Sequence, residues 1–171
     1  MESSASPLVL KQHDLLPAVR HALLEPAARV DDWHVRTLSG GYEASSSVYN
    51  VTGDAWANDQ QVSWDVILKV IRPTDDRRDS THWNYWRREV DAYRSGWLQE
   101  HTAGLAAPRC YDISERADGS IWLWLEALRD TTSKPWSVTT YERVAHQLGI
   151  FNGGYLAPAC GCADRVVGNR D

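Results

Sequence analysis

The sequence carries no surplus of positive charge. Its 18 Lys and Arg are outnumbered by 23 Asp and Glu, giving a formal net charge of -5. Basic residues are interleaved with acids, as in Asp75-Asp76-Arg77-Arg78-Asp79. No basic stripe is left to neutralise phosphates, which argues against a nucleic-acid partner. No apolar run approaches the roughly 20 residues that span a bilayer. Met1 to Leu10 lacks a basic segment followed by a long apolar stretch, so neither a membrane partner nor a signal peptide is expected. Cysteine is scarce: Cys110, Cys160 and Cys162 are an odd set that suits a reducing cytoplasm, the expected compartment. Cys160-Gly161-Cys162 has no nearby His or further Cys to complete a tetrahedral site, so no metal is expected there. Phenylalanine is nearly absent, 1 against 9 Trp. Tryptophan suits both cores and surfaces that stack sugars or bases, and composition does not choose between them.

What is present fits one globular domain. At 171 residues, 43% hydrophobic and 24% charged, the chain can bury a sizeable core. Residues 1–12 read as a frayed terminus. Leu15, Val19 and Leu23 recur at helical spacing, predicting a helix from Asp14 to Leu24 with Pro17 in its first turn and Pro26 beyond its end. Trp33, Val35 and Thr37 alternate with polar residues as a first strand. Val48, Tyr49 and Val51 predict a second, broken at Thr52-Gly53-Asp54 and followed by a polar loop. Val62 to Ile71 is the clearest strand, and its nearly continuous apolar run predicts burial on both faces.

Between Thr81 and Glu100 the period turns helical, with Trp83, Trp86, Val90, Tyr93 and Trp97 on one stripe. Arg109 to Ser114 and Ile121 to Leu128 predict two strands joined by an Asp118-Gly119 hairpin, followed by a linker at 131–135. Thr139 and Glu142 have the spacing of a capping box for a last helix, with periodicity lost beyond Gly153-Gly154. The expected fold is α+β: a five-stranded antiparallel sheet with one long packed helix, then one further helix. The expected organisation is a helical extension over 1–30, a nucleotide-binding lobe over 31–130, a linker and helix over 131–156 and an irregular tail over 157–171.

Three features have the chemistry of a nucleotide grip. Gly40-Gly41 followed by Ser45-Ser46-Ser47 would let backbone N–H groups and hydroxyls approach phosphate oxygens. Lys69 sits inside an apolar strand, where an ammonium is costly without a partner. Glu89 flanks the tryptophan-rich stripe of the next helix, within reach of that lysine. Taken singly each has an ordinary reading: a hairpin turn, a snorkelling lysine and a solvated helix carboxylate. Together they form the recurring kinase arrangement, in which a strand lysine is held to the α- and β-phosphates by a helix glutamate.

The segments Val66 to Pro73, His82 to Glu89, Pro108 to Tyr111 and Trp122 to Glu126 resemble the N-terminal lobe of aminoglycoside-phosphotransferase-like small-molecule kinases. The resemblance spans about residues 30–155. It implies ATP as the nucleotide, Lys69 as the phosphate lysine, Glu89 as its partner and Gly40 to Ser47 as the covering loop. It also implies that Glu126 to Leu128 is the hinge that meets the adenine edge. Its catalytic loop of His-x-Asp type has no counterpart after the lysine strand. His13-Asp14 precedes that strand, and His146 is followed by Gln147-Leu148.

No catalytic or metal-binding residue is therefore assigned. Mg²⁺ and a small-molecule hydroxyl acceptor are expected only in a complete enzyme, and the chain reads as truncated before its chemistry. A sheet underside left apolar would favour self-association. Two other readings stay open: a non-catalytic nucleotide-binding or interaction protein, and an unrelated Trp-rich module for sugars or peptides.

Overall fold

The computed structural model describes residues 8–38, 46–100, 104–129 and 134–156. The Gly40-Gly41 and Ser45 segment and the Cys160-Gly161-Cys162 tail lie outside the described residues. The chain is α+β, with a five-stranded antiparallel sheet. Its strands are β1 (Arg29–Leu38), β2 (Ser46–Ala57), β3 (Gln60–Ile71), β4 (Cys110–Glu115) and β5 (Ile121–Glu126), in spatial order β1-β2-β3-β5-β4. The helices are α1 (Gln12–Leu23), α2 (Arg88–Arg94), α3 (Trp97–Glu100) and α4 (Val138–Leu156). The chain divides into two compact units. Met1–Ser95 with Pro108–Arg129 holds the whole sheet, and Gly96–Ala107 with Asp130–Asp171 holds α3 and α4.

In the first unit α1 packs on one face of the sheet. Leu15, Ala18 and Val19 are fully buried in one cluster with Val51, Val66, Leu68 and Trp124. Each such side chain contributes at most about 1.5–3 kcal/mol of burial. Leu10, expected in a frayed terminus, belongs to this core at 8% exposure. The helix starts two residues earlier than its periodicity predicts, because the Asp14 carboxylate accepts the Lys11 N–H and stabilises the first turn. Pro17 therefore lies inside the helix, not in its first turn. Leu24 ends it in the left-handed region at φ 53°, with Glu25 N–H returning to the Arg20 carbonyl.

Strand β2 is longer than the sequence predicts and runs unbroken through Thr52-Gly53-Asp54, which pair with Asp65, Trp64 and Ser63. Gly53 marks a close approach and not a turn. A Cβ there would lie 2.2 Å from the Asp32 carbonyl oxygen and 2.8 Å from the Trp64 ring. The expected polar loop is instead the end of β2 and a tight hairpin, with Asn58 and Asp59 at φ 49° and 60°. Positive φ at both central positions gives a turn whose twist matches the strands it joins.

The predicted long helix over 81–100 is broken. Residues 79–88 form successive turns, in which Asp79 accepts from the Thr81 N–H and hydroxyl. Short polar side chains that bond the local backbone compete with helix in this way. Gly96, at φ 75°, separates α2 from α3. Of the predicted stripe, Val90 and Tyr93 are buried while Trp83 is 78% exposed.

In the second unit, Ser137 caps α4 by accepting the Thr140 N–H at 3.2 Å. The cap thus lies two residues before the expected Thr139, and the helix continues through Gly153-Gly154 to Leu156. Trp97 and Phe151 meet edge to face at 6.0 Å. Among the described residues, no helix is long and apolar enough to cross a membrane.

Candidate functional site

The register of β3 decides which side chains share a face. Trp64, Val66, Leu68 and Val70 point to the α1 core and are almost wholly buried. On the alternate face Asp65, Ile67 and Lys69 are half-buried and Ile71 is buried, so the expected burial of β3 on both faces is met fully on one and in part on the other. Lys69 stands opposite Val48 on β2 and Leu123 on β5. Those neighbours give its alkyl stem an apolar bed.

Helix α2 brings Glu89 to the same face. Its Oε2 accepts from Lys69 Nζ at 2.5 Å, with the two side chains 28% and 37% exposed. Lys69 therefore has a carboxylate partner and does not simply run out to water. Seven residues are too few to hold a helix alone, so α2 depends on tertiary contacts. Val90, adjacent to Glu89, is fully buried, and Tyr93 one turn on is 9% exposed. Burial, followed by the charge of Glu89 and then that of Cys110, pushes the Tyr93 hydroxyl up to about 12. The Cys110 thiol is pushed up to about 11 by burial and then by Asp112.

Both ends of α2 are also tied. Arg87 and Arg94 each donate to Glu115 Oε1 at 3.0 Å. These two arginines hold the Glu115 carboxyl below its ordinary 4.5, the hydrogen bond from Arg94 being the largest cause. This cluster was missed in the sequence. A signal was there: Arg87 and Arg94 are seven residues apart, two helical turns along one face.

The remaining predicted residues divide. Ser46 pairs with Ile71 and shares the Lys69 face, two positions from Val48. Ser47 pairs with Val70 on the opposite face, and its hydroxyl accepts from Arg72 at 3.2 Å. Glu126 closes β5, and its backbone N–H donates to the Arg109 carbonyl while its Oε2 accepts the Arg109 N–H. Leu128 follows, 63% exposed. The underside is mixed and not uniformly apolar. Ile67 and Leu125 flank Lys69 on one side, whereas Arg36, Asn50 and Asp65 form a hydrogen-bonded polar chain beneath β1 to β3.

Among the described residues, a cleft of about 410 Å³ is bordered by Asp32, His34, Asp54 and Asp65, and one of about 300 Å³ by Lys11, His13 and Arg116. Neither of these two is bordered by Lys69 or Glu89. Among the described residues no group of three or more His, Cys, Asp or Glu could hold a metal ion. The tryptophans are divided too: Trp64, Trp122 and Trp124 belong to the core, and Trp83 is exposed. No family model, curated protein or solved structure matches the chain.

Proposed function

We propose that this chain is the ATP-binding lobe of a small-molecule phosphotransferase, with Lys69 as the cation that meets the nucleotide phosphates. The observation that carries the reading is the ion pair of Lys69 and Glu89 between a central strand and the next helix. A lysine so held cannot fold back onto the sheet, and its ammonium keeps further N–H donors for phosphate oxygens. Beside it the half-buried Val48 and Ile67 offer apolar surface on the same face, suited to a base. Glu126 to Leu128 would meet the adenine edge.

The role of these residues is binding and orientation: the grip fixes the phosphates and offsets their charge while the γ-phosphoryl passes to an acceptor hydroxyl. No residue of this chain is assigned as general base, Mg²⁺ ligand or acceptor site.

A thermal-shift titration tests the reading. A ligand that binds only the folded state stabilises it by mass action, by about 2.7 kcal/mol at a hundredfold excess over Kd. ATP is expected to raise the Tm of the unsubstituted chain and to leave Lys69→Ala nearly unmoved. An unmoved Tm in both chains would remove the nucleotide reading.

A further inference from the structure

We infer that Glu115 is a positioning residue for the Lys69–Glu89 pair, acting through the two arginines that bracket α2. The inference rests on the nucleotide-binding reading above and adds to it what holds the glutamate-bearing helix in place. Glu115 is the last residue of β4, immediately before the hairpin to β5. That hairpin is well braced: the Arg116 N–H donates to the Ser120 carbonyl, and Asp118 Oδ1 accepts both the Ser120 N–H and its hydroxyl. The carboxylate of Glu115 is therefore presented from a fixed point on the sheet.

From that point it reaches both ends of α2. Arg87 precedes the first helical residue and Arg94 is the last, and both donate to the same oxygen. Arg116, the next residue, lies across the sheet with its Nη2 2.7 Å from Asp14 Oδ1 in α1 and its guanidinium over the Trp122 ring. Adjacent strand residues point to opposite faces. This one step of the chain thus ties one helix to each side of the sheet.

Charge makes the tie specific. Without Glu115, Arg87 keeps Asp91 Oδ1 at 3.9 Å, but the two 3.0 Å bonds that tie the ends of α2 to β4 are lost. What then holds α2 to the sheet is the burial of Val90 and Tyr93 and the Glu89 pair. Glu89 can hold Lys69 toward a ligand only while α2 stays docked, so loosening the clamp loosens the lysine.

The experiment uses the full chain carrying Glu115→Gln, with Glu115→Asp as the conservative variant. Hydrogen exchange at the amides of Asp91 and Ser95, which close the turns of α2, is followed without nucleotide. ATP affinity is measured in parallel in the native and Lys69→Ala backgrounds. Expected for Glu115→Gln are exchange at those two amides and an ATP Kd each raised about threefold, the scale of an exposed charge pair. Exchange in β3 and β5 should stay unchanged, Glu115→Asp should recover most of both effects, and no further loss of affinity should appear in Lys69→Ala. Faster exchange throughout the sheet would make Glu115 a general stability residue and overturn the inference. Faster exchange in α2 with unchanged ATP affinity would overturn it while leaving the nucleotide reading intact. Failure of the unsubstituted chain to bind ATP would overturn both.

Discussion

Lys69 and Glu89, 20 residues apart in sequence, meet at 2.5 Å across the gap between β3 and α2. Both side chains keep about a third of their surface exposed, which limits what the contact gives to stability. Glu89→Gln is expected to cost only about 0.5–1 kcal/mol in urea unfolding. A loss of several kcal/mol would instead describe a buried pair left with one uncompensated charge. The same substitution should weaken ATP binding, because the lysine loses its anchor.

Gly53 allows no side chain. The atom nearest a new Cβ is the Asp32 carbonyl oxygen, at 2.2 Å, and backbone on a paired strand cannot move aside cheaply. Gly53→Ala is expected to destabilise the fold by about 2 kcal/mol or more, read as a lower urea midpoint with an unchanged slope. A midpoint within error of the native chain would contradict the register of β1 on β2.

The Asn58-Asp59 hairpin has both residues at positive φ, which Asn and Asp tolerate but glycine adopts without a Cβ penalty. Asp59→Gly creates the Asn-Gly pair most favoured in this turn and should stabilise the chain by about 0.5 kcal/mol. A fall in Tm would show that Asp59 contributes something other than turn geometry.

Alkaline pH should weaken the fold through two groups on or near α2. Unfolded, Cys110 and Tyr93 lose their protons near the ordinary 9.0 and 10.0. Folded, they hold them to about 11 and about 12. The unfolded state therefore binds fewer protons across this window, and stability declines as pH rises from about 9 to about 12. Tyr93→Phe should flatten the upper part of that decline in a pH series of Tm values, and an unchanged slope would contradict the burial of the hydroxyl.

Where periodicity and local chemistry agreed, the fold was legible in the sequence. The β-branched run of β3, the Asp118-Gly119 hairpin and the apolar strand β5 each follow from side-chain type and spacing. So does the meeting of Lys69 with Glu89, since an ammonium inside such a strand calls for a partner. The failures share a different cause. Gly53 and the Asn58-Asp59 turn were misread because a glycine demanded by a neighbouring strand looks, in one dimension, like a break. The stripe from Trp83 to Trp97 has helical spacing, yet Asp79 and Thr81 hold the chain in turns and Gly96 interrupts the rest. The spacing of Arg87 and Arg94 signals a shared partner, but that the partner is Glu115 follows only once the folded sheet brings β4 near α2.

The most direct test uses the fact that the chain has three lysines, Lys11, Lys69 and Lys134. An acyl-phosphate derivative of ATP transfers its acyl group to an amine held beside the phosphates, and mass spectrometry of the peptides then locates the label. If Lys69 grips the phosphates, it takes up the label well ahead of Lys11 and Lys134, excess ATP suppresses that labelling, and Glu89→Gln reduces it. Labelling of the three lysines to similar extents, indifferent to ATP, would contradict the account.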